Sequence, residues 1–261
     1  MSNTLPPNYV EGHNLLAGKV VVVTAAAGTG IGSSTARRCI EEGAAVVISD
    51  SHQQRLDATS SDLEKINGQR PMSVVCDVTS EEQVKNLFDS VLYEHGRIDV
   101  LINNAGLGGQ SLLIDMDDEQ WQRVIDVTLT GTMRCTRSVL KIMKKQKSGV
   151  IINNASVLGW RAQSGQSHYA AAKAGVMALT RCVAIEAAED NVRVNCVAPS
   201  LAMHPNLAKA SSNELIDSLV SKELFGRAAE PWEVANVMVF LASDYSSYMT
   251  GEVVSVSSQH P

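Results

Sequence analysis

The passage from Val20 to Gly32 constrains this chain more than any other. Four valines, Val20–Val23, run into Thr24-Ala25-Ala26-Ala27-Gly28-Thr29-Gly30 and then into a helical pattern over Gly32–Glu42. A buried strand that enters a helix through so small a turn brings bare backbone to one point. Glycines there permit positive φ and close approach, and the first amides of the helix lack partners of their own. The rhythm repeats along the chain. Ala45–Ile48, Ser73–Cys76, Val100–Ile102, Val150–Ile152 and Val192–Val197 read as further buried strands. Glu81–His95, Asp118–Lys145 and Ala170–Glu189 read as amphipathic helices. Strands apolar on both faces and alternating with helices predict an α/β fold, a doubly wound parallel sheet covered on both sides. No linker or repeat divides it. One domain over 18–261 is expected to follow a short arm at 1–17. The polar, helix-patterned stretch 201–225 is expected to form a lid at the carboxyl ends of the strands.

Composition removes several classes of function. The 261 residues carry a formal net charge of -6, so the positive footprint needed to hold a phosphate backbone is lacking and nucleic acid is not an expected partner. No apolar run reaches bilayer length, and no basic segment precedes an apolar stretch at the N-terminus, so neither a membrane span nor a signal peptide is expected. The five cysteines are scattered, with no C-x-x-C pair and no Cys/His pair at ligand spacing. Reduced thiols, a cytoplasmic location and no metal are therefore expected.

The small-residue turn reads as a phosphate loop, with Thr24, Ala25, Gly28, Thr29, Gly30 and Ile31 around a pyrophosphate seated on the helix N-terminus. The bland alternative is an ordinary strand-to-helix turn. Asp50 ends the next strand, where a carboxylate can accept from adenosine ribose hydroxyls and would repel a 2′-phosphate. That favours NAD over NADP, against the alternative of a solvated helix cap. Arg37 and Arg38 lie nearby in sequence, and their helical setting suggests an outward, solvated role for both.

Further motifs stand in order along the chain: Cys76-Asp77-Val78, Asn103-Asn104-Ala105-Gly106, Ser156, Tyr169-x-x-x-Lys173, Pro231-Trp232-Glu233-Val234-Ala235, Phe240-Leu241-Ala242-Ser243-Asp244 and Thr250-Gly251. In that order and spacing the chain resembles the short-chain dehydrogenase/reductase family over nearly its full length. The resemblance implies a Rossmann fold, usually in a homotetramer with the helices around Asp118–Lys145 and Ala170–Glu189 at one interface. It implies adenine contacts from Asp77 and Val78 and cofactor contacts from Asn104, Ala105 and Gly106. It also implies Tyr169 as proton carrier, Lys173 lowering the tyrosine pKa and holding the nicotinamide ribose, and Ser156 bonding the substrate oxygen. Within the family the chain is most similar to actinobacterial enzymes of steroid-ring degradation, which act on a methyl-hydroindanone propanoate carried as a CoA thioester. The stretches Thr24–Gly30 and Ser156–Gln163 and the ending Gln259-His260-Pro261 carry that likeness. It is also similar to 3-oxoacyl-carrier-protein reductases.

The departures from the family pattern matter. Thr128 stands where the family has an asparagine that helps hold a water in the proton relay. The phosphate loop is one residue longer than usual, with Ala25 in place of a glycine. Ser200 replaces a glycine after Pro199, which moves the expected nicotinamide amide contact to backbone near Ala202, and the usual Gly-Gly of the tail is absent from Ser255–Pro261. Between the serine and the tyrosine, Trp160, Arg161 and Gln163 are candidate substrate contacts. Trp160 could wall an alicyclic ring and Arg161 could pair with a carboxylate or phosphate, or the two could simply pack on the surface. His168 and His204 read as histidines with satisfied hydrogen bonds; Met143, Met177 and Met238 read as core; Lys209 and Lys222 read as solvated. The function expected is interconversion of a secondary alcohol and a ketone on a bulky alicyclic acyl-CoA. A linear 3-oxoacyl-thioester reductase is the near alternative, and a non-catalytic dinucleotide sensor the alternative of a different class.

Overall fold

In the computed structural model, which describes residues 4–203 and 213–259, each buried run becomes a strand because its β-branched side chains are covered from both sides. The strands are β1 (Val20–Val23), β2 (Ala45–Asp50), β3 (Met72–Val75), β4 (Val100–Asn103), β5 (Gly149–Asn154), β6 (Val192–Pro199) and β7 (Val253–Val256). They form one seven-stranded parallel sheet in the order β3-β2-β1-β4-β5-β6-β7. Strand order reverses between β1 and β4, so a crevice opens at their carboxyl ends, where ligands of open α/β sheets bind. The helices are α1 (Ile31–Glu41), α2 (Gln53–Asn67), α3 (Glu81–His95), α4 (Asp118–Ile125), α5 (Gly131–Gln146), α6 (Ser167–Ala187), α7 (Asn213–Val220) and α8 (Pro231–Ala242). One core lies under α1 and α8, with Val21, Val23, Ile102 and Met238. A second lies under α3 and α5, with Val22, Phe88, Leu101 and Met143.

The structure departs from the sequence reading in places with physical causes. β3 begins at Met72, one residue before the expected Ser73. β7 and α2 were not expected: three of the four β7 residues are only half-buried, and α2 presents just Leu56, Thr59, Ser60 and Leu63 to the interior. The expected helix over Asp118–Lys145 is interrupted by one π-helical turn, Asp126–Thr130.

Arg38 is not solvated. Its side chain is buried, donating to Glu41 (2.8 Å), to Glu42 (2.7 Å) and to the Val10 carbonyl (2.8 Å). The N-terminal arm folds back over α1, with Tyr9 Oη bonded to Glu41 at 2.6 Å and its ring against Trp232. Arg37 remains half-exposed, as expected. Met143, Met177 and Met238 are core residues, also as expected. His168 is buried, but its Nδ1 has no partner among the described residues, contrary to the expectation of a satisfied ring. All five cysteines are free. Among the described residues no helix is long and apolar enough to cross a membrane, and no group of His, Cys, Asp or Glu could hold a metal. Of the expected lid, α7 is described, whereas His204 and Lys209 lie outside the described residues.

Candidate active site

Two adjoining cavities, of about 490 and 780 Å³, meet at Ala25, Asp50 and Gly106 along the carboxyl ends of the central strands. The loop from β1 to α1 lines the smaller cavity through Ala25, Ala27 and Gly30. Thr24, buried at the end of β1, accepts from the amides of Asn104 (3.0 Å) and Ala105 (3.1 Å), which ties this loop to the turn after β4. Ala25 turns into the left-handed region at φ 48, and its carbonyl accepts from Asn104 Nδ2 at 3.0 Å. A Cβ on Gly32 would sit 2.4 Å from both that carbonyl and that amide, so only glycine lets α1 come so close.

The next three amides are already bonded within the protein: Ala26 to the Ser49 carbonyl (2.9 Å), Ala27 to Asp50 Oδ2 (3.3 Å) and Gly28 to Thr59 Oγ1 (2.9 Å). Beyond them α1 starts at its N-cap, Gly30, with no side-chain cap and no acidic residue in its first turn. Gly30, Ile31 and Gly32 line the smaller cavity. An uncapped helix N-terminus of this kind holds unsatisfied donors and a partial positive charge, which suits a pyrophosphate.

Asp50 closes β2 between the two cavities. Its Oδ1 accepts from the His52 amide (3.0 Å), and the Arg55 guanidinium and the His52 ring each lie 3.5 Å away. Sequence reasoning missed His52 and Arg55, which flank the carboxylate and line the larger cavity. Asp77 and Val78 line that cavity too, beside Ala105 and Leu107; Asp77 Oδ1 accepts from Thr79 N (2.9 Å) and Oγ1 (2.8 Å).

At the other end Ser156, Tyr169 and Lys173 share the smaller cavity with Asn104, Gly106 and the segment Pro199–Ala202. Ser156 follows β5 and N-caps the short turn Val157–Gly159 through its Oγ, which accepts from Leu158 N at 3.2 Å. Tyr169 and Lys173 lie one turn apart on α6, with Nζ 5.5 Å from the phenol ring centroid. Lys173 is buried, and its Nζ donates to the Asn154 carbonyl at 2.6 Å. Burial pushes its pKa down to about 8. Burial also raises the Tyr169 phenol, against a smaller lowering by a hydrogen bond with Ser156. The expected lowering of the tyrosine by the lysine is thus not what this geometry produces, because the ammonium is turned towards Asn154.

Thr128, fully buried in the π turn, exchanges two bonds with Leu107: its Oγ1 donates to the carbonyl (3.1 Å) and accepts from the amide (3.0 Å). It therefore pins the loop beyond Gly106. Ala202 forms an isolated bridge with Ala229, in which Leu201 O and Met203 N make the bonds. Ala202 also lines the smaller cavity. The candidate substrate residues are less converged. Trp160 is half-exposed, Arg161 is bonded to Gln259 Oε1 in the tail, and neither they nor Gln163 line the two cavities. The tail reaches further: the buried Glu223 carboxylate accepts from Ser258 Oγ (2.8 Å) and Gln259 Nε2 (2.8 Å).

Residues 25–258 match the family model described as enoyl-(acyl carrier protein) reductase, a span that includes Asp50, Ser156, Tyr169 and Lys173. The chain belongs to the short-chain dehydrogenase/reductase family. This dehydrogenase/reductase is 62% identical, over the whole of both chains, to a reductase of Mycobacterium tuberculosis. That relative is named for (5R,7aS)-5-hydroxy-7a-methyl-1-oxo-2,3,5,6,7,7a-hexahydro-1H-indene-carboxyl-CoA. It is 41% identical to a 3-oxoacyl-[acyl-carrier-protein] reductase of Thermotoga maritima, over 92% of this chain and 97% of the relative. Among solved structures, a short-chain dehydrogenase from Mycobacterium smegmatis is 59% identical and superimposes with a TM-score of 0.87, covering 98% of each chain. The parallel sheet, the oxidoreductase class and the use of an NAD(P) cofactor follow from family membership.

Proposed function

We propose that this enzyme interconverts a secondary alcohol and a ketone on a bulky alicyclic acyl-CoA, with NAD as the preferred dinucleotide. The observation that carries the reaction class is convergence: Ser156, Tyr169 and Lys173 open into the same cavity as the uncapped N-terminus of α1. The residues fit a dinucleotide. Free amides stand at the centre of the cleft, a carboxylate flanks it where a ribose diol would lie, and the apolar Val78 borders the adenine side. The Asp50 carboxylate favours the unphosphorylated ribose, since a 2′-phosphate would meet its charge at short range.

When bound, the nicotinamide supplies or accepts the hydride. In the reductive direction Tyr169 donates its proton to the substrate oxygen as negative charge develops there, and in the oxidative direction it takes that proton back. Ser156 donates a hydrogen bond to the same oxygen. Lys173, its ammonium held on the Asn154 carbonyl, would hold the nicotinamide ribose in the same cavity. Thr128 acts through Leu107 by fixing the floor of the cleft. Ala202 would offer backbone to the nicotinamide amide, while Trp160, Arg161 and Gln163, outside the two cavities, would meet the acyl-CoA beyond Ser156.

The alicyclic substrate is supported by full-length identity to the hydroindene-carboxyl-CoA reductase. The linear 3-oxoacyl thioester is the second reading, supported by the carrier-protein reductase relative. A homo-oligomer, a tetramer, is supported by apolar side chains left exposed: Leu113, Ile114 (91% exposed) and Ile185 (80% exposed). Free thiols support a cytoplasmic setting.

The test compares specificity constants for an alicyclic hydroxyacyl-CoA and a linear 3-hydroxyacyl-CoA, each with NAD and NADP. Preference for the ring with NAD bears out the proposal. Preference for the linear thioester transfers the enzyme to the second reading, and preference for NADP refutes the role given to Asp50.

A further inference from the structure

We propose that Thr59, on α2, is the positioning residue of the phosphate loop: its hydroxyl props the tip of the loop so that the free amides of α1 face the cleft. This rests on reading the cleft as a dinucleotide site. The loop has two positive-φ residues within four positions, Ala25 (φ 48) and Gly28 (φ 98). Its first limb is held by β2, through Ala26 on the Ser49 carbonyl and Ala27 on Asp50. Its tip is held elsewhere. The Gly28 amide donates to Thr59 Oγ1 at 2.9 Å, and among the described residues that is the one hydrogen bond from α2 to the loop.

Thr59 is 7% exposed, and α2 is itself anchored by the buried Leu56 and Leu63 and by Ser60 Oγ on the Pro71 carbonyl at 3.1 Å. The prop therefore stands on a rigid element. Behind the tip lies a cavity of about 250 Å³ lined by Gly28, Thr29, Ser33, Arg37, Thr59 and Asp62. Without the bond the tip has room to fall back into that space. Gly30–Gly32 would then move with it, because they continue the same backbone. Amides that hold a pyrophosphate must stay within about half an ångström of the productive geometry, so a loose tip costs affinity for the phosphates and nothing else.

Calorimetric titration with NAD, ADP and adenosine tests this on three proteins: wild type, Thr59→Val and Thr59→Ser. Valine keeps the volume and removes the hydroxyl; serine keeps the hydroxyl. Thr59→Val should weaken NAD and ADP by about three- to tenfold, the worth of one neutral hydrogen bond, and leave adenosine unchanged. KM for NAD should rise by the same factor with kcat unchanged, and Thr59→Ser should restore wild-type values. Unchanged affinity for NAD and ADP in Thr59→Val, equal weakening of adenosine, or no recovery in Thr59→Ser overturns the proposal. So does loss of the fold in Thr59→Val with Thr59→Ser intact, because the hydroxyl would then be holding the core. Failure of wild type to bind either NAD or NADP refutes the dinucleotide reading itself, a result distinct from all of these.

Discussion

Replacing Lys173 by methionine should abolish turnover while leaving the fold as stable as before, or more so. The ammonium is 3% exposed and its pKa is pushed down to about 8 from 10.5, with burial as the largest cause. At about 1.36 kcal/mol per unit, keeping it charged at neutral pH costs the native state about 3 kcal/mol as an upper figure. Against this stands the charged hydrogen bond to the Asn154 carbonyl, worth about 1.5–3 kcal/mol. The balance for Lys173→Met lies between about zero and 2 kcal/mol of added stability near pH 7.5.

The same shift fixes a pH signature. The native value lies below the unfolded one, so between about pH 8 and 10.5 the unfolded chain still binds a proton that the native lysine has released. Stability conferred at this site therefore rises with pH across that window. Urea titrations of both proteins at pH 7.5 and 9.5 read it out: the wild type should gain about 2 kcal/mol on the variant over that interval. A variant less stable than wild type by more than about 2 kcal/mol at pH 7.5, or a wild-type-minus-variant difference that does not change with pH, would refute the claim that this lysine is held at a cost for chemistry.

Tyr169→Phe should lower kcat by about 10²- to 10⁴-fold with KM for the dinucleotide little changed, as steady-state kinetics would show. Ser156→Ala should cost about 10²- to 10³-fold in kcat, the loss expected on removing one donor to the developing oxyanion. Arg38→Met should destabilise the chain by about 3–5 kcal/mol in urea titration, because the buried Glu42 carboxylate loses its cation at 2.7 Å. Asp50→Asn should shift the NADP-to-NAD ratio of kcat/KM towards NADP by about tenfold or more, since a full charge is removed from beside the 2′ position.

The parallel sheet was legible because Val20–Val23 and its counterparts are apolar on both faces, a pattern that little but a covered strand explains. The cleft was legible for a related reason: a strand, a run of small residues and a helix can meet only where backbone is exposed, and Asp50 ends the neighbouring strand. β7 was not legible, since three of its four residues are only half-buried and its sequence, Val253-Val254-Ser255-Val256, follows Gly251 in what reads as a tail. Arg38 was misread because its partners are set by the arm folding back over α1, an approach no helical pattern encodes. Thr128 could be placed by spacing, yet its two bonds to Leu107 depend on a π turn that local propensity does not announce. Thr59 carried no signal at all. Its role exists only because α2, unread in the sequence, packs beneath the loop. The Lys173–Tyr169 spacing correctly placed both residues on one face of α6, but the direction of the ammonium depends on the Asn154 carbonyl of a different element.

Hydride transfer is the central claim, and isotope tracing tests it most directly. The purified enzyme would be incubated with nicotinamide-4-deuterated NADH and an alicyclic ketone carried as its CoA thioester, and the product analysed by mass spectrometry. One deuterium on the new carbinol carbon, absent when Tyr169→Phe replaces the wild type, is the predicted result. Tight dinucleotide binding with no deuterium delivered to this or any ketone of a broad panel would contradict the account and make the protein a dinucleotide sensor.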